Sequence, residues 1–118
     1  MPAYPTPETL GEAGAKVWQE ISGSFALRSD ELALLEDACA ITDMISALSE
    51  AWVEEGKPLT TKGSMGQEVI HPLIGEIRTQ RMARNTLWRQ LKLPDEGGAA
   101  DASSGARSAA HSRWNRGA

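Results

Sequence analysis

The sequence predicts an all-α protein. A short N-terminal helix packs on a long antiparallel helical hairpin, with a small β-turn element between the hairpin helices and a disordered C-terminal tail. Three observations carry this reading. Leu34, Ala38, Ile41, Ile45, Leu48 and Trp52 recur at spacings of 4, 3, 4, 3 and 4, an a/d seam of nearly three heptads. Leu73, Ile77, Gln80, Arg84, Leu87 and Leu91 repeat those spacings. Between the two seams lies TTKGSMGQEVIHPL, punctuated by glycine and proline and too short for another domain.

In chain order, residues 1–28 form an N-terminal arm and first helix. Met1 to Pro7 is proline-rich and reads as extended. Thr6-Pro7-Glu8 offers a helix start, with Thr6 as cap and proline at the first helical position. Leu10, Ala13, Val17, Ile21 and Phe25 then recur at helical spacing, with Trp18 beside Val17. Gly11 and Gly14 weaken the early turns by about 1 kcal/mol each relative to alanine. This helix should end near Ser22–Ser24.

Residues 29–93 form the central hairpin, read as the oligomerisation region. Ser29-Asp30-Glu31 gives a second helix start: a capping serine, then two acids at the positive end of the helix dipole. Leu32, Leu35, Cys39 and Thr42 widen the apolar stripe, so the helix should touch two neighbours. It should run to about Glu55 and stop at Gly56, with Pro58 just beyond. Leu59-Thr60-Thr61 and Glu68-Val69-Ile70 suit a short hairpin turned by Lys62-Gly63-Ser64-Met65-Gly66. Such a hairpin is marginal alone and should rest on the helices or on a neighbouring subunit. His71-Pro72 opens the third helix and Pro94 ends it. Its seam is polar at the centre, so it should either pack less tightly there or meet acids, for which the second helix is the obvious source. Residues 94–118 form a basic tail dominated by Gly, Ala and Ser, whose composition predicts disorder when free.

The net charge of −4 hides a strong polarity. Residues 29–57 hold eight acids against Lys57 alone. Residues 71–93 hold Arg78, Arg81, Arg84, Arg89 and Lys92 against Glu76. An acidic total therefore does not exclude a nucleic-acid partner, because the local field decides. The single cysteine, Cys39, rules out an intrachain disulfide and reads as a small core residue. MPAYPTPE lacks the charged start and apolar run of a signal peptide. No window approaches the roughly 20 apolar residues of a membrane span, so a soluble, intracellular protein is expected.

No constellation predicts catalysis. Glu36 with Asp37, and Glu54 with Glu55, lack a convergent His, Cys or Asp and read as a solvated or partner-facing acidic face. His71, beside Pro72, reads as a turn or cap residue. Gly63 and Gly66 lack the Gly-Lys-Ser/Thr of a phosphate loop, and Ser64 has no nucleophile-elbow context. The chain is expected to be neither an enzyme nor a cofactor or metal carrier. Arg78, Arg81, Arg89, Lys92 and Lys62 are the nucleic-acid candidates. The helical cations should reach across two or three faces, with Arg84 nearer the seam. They contact phosphates only if pairing with the acidic helix does not consume them. Leu34, Ile41, Ile45, Leu48 and Trp52 should divide between intrachain and intersubunit contacts. In the tail, Arg107, Arg113 and Arg116 surround Trp114, a suitable anchor for a partner unless the tail is inert.

Further motifs carry a family resemblance. Trp18 in an opening helix leads to Leu27-Arg28-Ser29-Asp30-Glu31, Leu34-Leu35-Glu36 and Cys39. Gly63, Gly66, His71-Pro72-Leu73, Glu76 and a closing Leu91-Lys92-Leu93 follow. In order and spacing, about residues 8 to 95 resemble the small terminase subunit of tailed bacteriophages, in the P27-like group. The resemblance implies a non-catalytic homo-oligomer, typically a ring, working in the host cytoplasm. Such a protein engages viral double-stranded DNA and hands it to the large terminase subunit, the ATPase and nuclease of genome packaging. It further implies a C-terminal segment that contacts that large subunit. The region before residue 29 is too short for the family's separate helix-turn-helix domain, which shifts DNA contact to the ring surface or the basic tail. Two other classes fit the same residues: a helical scaffold or adaptor that binds only protein, and a small DNA-binding regulator.

Overall fold

Glycine, proline and a distant aspartate set the element boundaries along residues 4–94, the part of the chain that the structure, a computed structural model, describes. The order is α1 (Glu12–Ser22), α2 (Ser29–Glu54), β1 (Thr60–Lys62), β2 (Glu68–Ile70) and α3 (Pro72–Leu91). The protein is thus mostly helical, with one small two-stranded antiparallel sheet.

α1 corrects the expected start at Thr6 and Pro7. Gly11 is its N-cap, and Leu10 N–H closes a turn onto Pro7 O at 3.2 Å. The cause is tertiary. The Asp43 carboxylate of α2 accepts from Gly11 N–H and from Gly14 N–H, each at 2.7 Å. A carboxylate at the positive end of a helix takes two of its orphan donors. The glycines make the approach possible: a Cβ on Gly14 would stand 2.5 Å from both Cys39 O and Asp43 Oδ2. The segment before α1 lies across the core. Trp18 Nε1–H donates to Tyr4 O at 3.0 Å, and Leu27 N–H donates to the Tyr4 hydroxyl at 3.0 Å.

α2 is capped by Arg28, one residue before the expected Ser29. Arg28 is extended and its carbonyl already accepts the first helical bond, from Leu32 N–H at 2.8 Å. The Glu31 carboxylate reaches back to accept from Arg28 N–H at 2.9 Å. An arginine side chain has no acceptor, so only this half of a capping box forms. The same guanidinium hydrogen-bonds Asp30, which lowers that carboxyl's pKa from its ordinary value. At the far end Gly56 takes φ +93, and Lys57 N–H and Gly56 N–H return to Trp52 O and Val53 O, both at 2.9 Å. That is a Schellman closure, for which glycine is the natural residue.

The hairpin pairs Thr60 with Ile70, Thr61 with Val69 and Lys62 with Glu68. Gly66, at φ +80, supplies the left-handed turn residue. Thr61 and Val69 are half-buried, whereas the other face stays exposed. Two bonds hold its base: Trp52 Nε1–H to Pro58 O at 2.8 Å and His71 N–H to Leu59 O at 3.0 Å. Apolar side chains at that base remain bare, with Leu59 68% and Ile70 64% exposed.

α3 begins at Pro72, and His71 caps it by accepting Leu73 N–H on Nδ1 at 3.1 Å. An accepting Nδ1 places the neutral ring's proton on Nε2, which donates to Glu55 Oε1 at 2.9 Å. Lys92, in the left-handed region at φ 54, is its C-cap.

α2 packs against both α1 and α3, as the width of its apolar stripe predicts. The core lies where all three helices meet: Trp18, Phe25, Leu27, Leu35, Cys39 and Leu91 are its buried members. Leu35 and Cys39, flanking the expected seam, are fully buried, and Trp18 rather than Val17 is the buried anchor of α1. Burial first, then the carboxylates of Asp43 and Glu36, push the Cys39 thiol up to about 12. A soluble thiol reagent at neutral pH should therefore leave Cys39 unmodified until the protein is denatured, because the thiolate is the reactive form. Rapid stoichiometric labelling of the native protein would contradict this packing.

Candidate nucleic-acid interface

The site is one side of α3. Arg78, Arg81, Asn85, Arg89 and Lys92 follow each other at spacings of three, four, four and three, and all are exposed. On an α-helix such spacing is one line of the surface. The three helical cations Arg78, Arg81 and Arg89 thus share one face, where the sequence suggests two or three, and Lys92, the left-handed C-cap, follows at its end. From Arg78 to Arg89 the row is roughly 16 Å long at the helical rise.

The acidic helix does not consume this row. Among the described residues the ion pairs are Arg28 with Asp30 and Arg28 with Glu31, while the neutral His71 ring hydrogen-bonds Glu55. None joins an α3 cation to an α2 acid. Arg89 Nη2 donates to Thr86 Oγ1 at 3.3 Å, a contact that leaves its charge uncompensated. Lys62 stands apart, exposed on β1 and opposite Glu68.

Arg84 is the exception among the helical cations. It turns into the α2–α3 contact, where Nη1 donates to Thr42 Oγ1 at 3.1 Å. Its Nε is buried without a hydrogen-bond partner. The polar centre of the third-helix seam therefore meets a hydroxyl, and of the two expectations for it the acid is not found there. Thr42 can take this place because its hydroxyl donates to Ala38 O at 2.9 Å and keeps its lone pairs for Arg84.

Beside the row, between α2 and α3, lies an open groove of about 330 Å³. Trp52, Ile74, Ile77 and Met82 give it apolar walls, with Arg78, Arg81 and Asn85 completing the lining. Of the expected interface residues, Ile45 is buried inside the chain, and Leu34, Ile41, Leu48 and Trp52 are half-buried. Glu36, Asp37, Glu54 and Glu55 are exposed on α2, and Glu55 holds His71. Among the described residues no group of three or more His, Cys, Asp or Glu is placed to hold a metal ion. No helix among them is long and apolar enough to cross a membrane. Arg107, Arg113, Trp114 and Arg116 lie outside the described residues.

Sequence reasoning missed Asp43, whose carboxylate seats α1. The available signal was Gly11-x-x-Gly14, two glycines one helical turn apart, which marks a close approach as readily as a weak helix. Comparison with family models, curated proteins and solved structures finds no match, so the chain's own residues carry the functional reading.

Proposed function

We propose that the chain is a non-catalytic, self-assembling DNA-binding protein, the small terminase subunit of a tailed phage. In this reading α2, the β-turn element and α3 form the long antiparallel hairpin of the assembly. Partner order supports that geometry: Glu55 meets His71, Thr42 meets Arg84, and Leu35 shares the core with Leu91. One observation carries DNA binding: the exposed row from Arg78 to Lys92 has no acidic partner within the described chain. Uncompensated, aligned cations are what phosphate contact requires, and such contact is independent of base sequence. The exposed apolar side chains at the hairpin end, Leu59, Met65 and Ile70 among them, support self-assembly. The protein works on viral double-stranded DNA in the host cytoplasm and delivers it to the large ATPase–nuclease subunit.

Duplex-DNA binding at low salt, measured together with native mass, tests this reading. Binding by an assembly larger than a dimer is expected at micromolar concentration. Assembly without DNA binding would favour a protein-only adaptor, and DNA binding by a monomer or dimer would favour a small regulator. The tail has its own test. Removing residues 95–118 should spare assembly mass and the folding transition, and abolish stimulation of the large subunit's ATPase. Full stimulation by the truncated protein would place the docking surface on the helical body.

A further inference from the structure

The chain carries two uncompensated surfaces of opposite charge on different sides of the molecule. The first is the groove beside Trp52, apolar at Ile74, Ile77 and Met82, with the unpaired Arg78 and Arg81 in its lining. Met82 is 63% exposed there, a large apolar side chain left facing water. The second is the outer side of α2. Asp37, Ala40, Met44 and Ala47 recur at spacings of three, four and three, and all are exposed. Met44 is 49% exposed at the centre of that line, and Glu36 stands beside it. Neither Glu36 nor Asp37 has an ion-pair partner among the described residues. Helical geometry sets this line on the side of α2 opposite Leu35 and Thr42, which face the core and α3. One molecule therefore cannot bring its own two surfaces together.

We propose that the groove beside Trp52 seats the acidic outer face of α2 from a second copy of the chain. The occupant is identified by charge and shape. It must offer acids to Arg78 and Arg81 and an unbranched apolar side chain to the space walled by Trp52, Ile77 and Met82. Asp37 and Met44, two helical turns apart, present both on a single ridge. Methionine suits such a role because its flexible thioether fills irregular gaps.

The two patches differ, so the contact is head-to-tail. Repeated, it closes into a ring when the rotation allows and otherwise runs on as a filament. It also divides the basic row. Arg78 and Arg81 belong to the contact between copies, while Arg89 and Lys92, further along α3, stay open to phosphates. This inference rests on the self-assembly in the proposed function and specifies its surfaces.

Two variants of the full chain test it by light scattering after size exclusion. A groove variant carries Arg78→Glu and Arg81→Glu; a ridge variant carries Asp37→Asn and Met44→Gln. All four positions are exposed, and unchanged thermal melting verifies each fold. Each variant alone should run as a monomer. Mixed in equal amounts they should form a two-copy complex and nothing larger, because each brings one intact surface. Wild-type mass retained by either variant would overturn the head-to-tail contact, as would a mixture that stays monomeric. A wild-type chain that is itself monomeric at micromolar concentration would instead remove the self-assembly on which the contact depends.

Discussion

Valine at Gly14 should lower the thermal midpoint by at least roughly 12 °C, since a net loss of about 3 kcal/mol or more is expected and each kcal/mol shifts the midpoint of a domain of this size by about 4–8 °C. Helix propensity alone argues the other way, because glycine inside a helix costs about 1 kcal/mol relative to alanine. Packing decides the sign. Any Cβ at Gly14 would lie 2.5 Å from Cys39 O, a backbone atom of α2 that cannot swing aside. Overpacking of that kind costs about 1–3 kcal/mol. Pushing α1 off α2 also breaks the Asp43 bonds to Gly11 and Gly14, and hydrogen bonds to a charged group contribute about 1.5–3 kcal/mol each. A melt followed by circular dichroism measures the effect. A midpoint within about 2 °C of wild type would mean that α1 does not seat on α2 through these two glycines.

Truncating Trp18 to alanine should destabilise the fold by about 3–5 kcal/mol, the usual range for a large buried aromatic. Trp18 is 4% exposed and stands in the core with Phe25, Leu27, Leu35, Cys39 and Leu91. It also ties down the segment before α1, because its Nε1–H holds Tyr4 O while the Tyr4 hydroxyl holds Leu27 N–H. Trp18→Phe separates the two roles. It keeps most of the packing and loses the hydrogen bond, which should cost about 1 kcal/mol plus the packing of the smaller ring. Urea denaturation reads both variants. A Trp18→Ala midpoint close to wild type would contradict the placement of the core.

Local chemistry makes the end of α2, the hairpin strands and the start of α3 legible. Gly56 and Pro58, the glycines around Ser64, and His71-Pro72 each act within a few residues of the boundary they set. The start of α1 is not legible, because Thr6-Pro7-Glu8 is a sound local cap that loses to Asp43, about thirty residues away. At α2 the shift from Ser29 to Arg28 has a more local origin: the Glu31 carboxylate fixes the Arg28 backbone and needs no serine oxygen. The apolar seam of α2 is visible and its Ala38 is fully buried, but Leu35 and Cys39, buried as deeply, sit to one side of it. α1 covers that side, and the heptad pattern describes only the contact with one neighbour. The spacing of Arg78, Arg81, Arg89 and Lys92 is present in the sequence itself. Whether acids neutralise them depends on which sides α2 and α3 turn toward each other, and that is a tertiary fact.

The salt dependence of duplex-DNA affinity tests DNA contact most directly, comparing wild type with the Arg89→Ala, Lys92→Ala double variant. Both side chains are exposed, and neither lines the groove. The logarithm of wild-type affinity should fall linearly with the logarithm of salt concentration. Each phosphate contact contributes about 0.9 to that slope, so the double variant should flatten it by about 1.8, with melting temperature and native mass unchanged. A slope identical to wild type, or a wild-type protein that binds no duplex at low salt, would contradict phosphate contact by this face of α3.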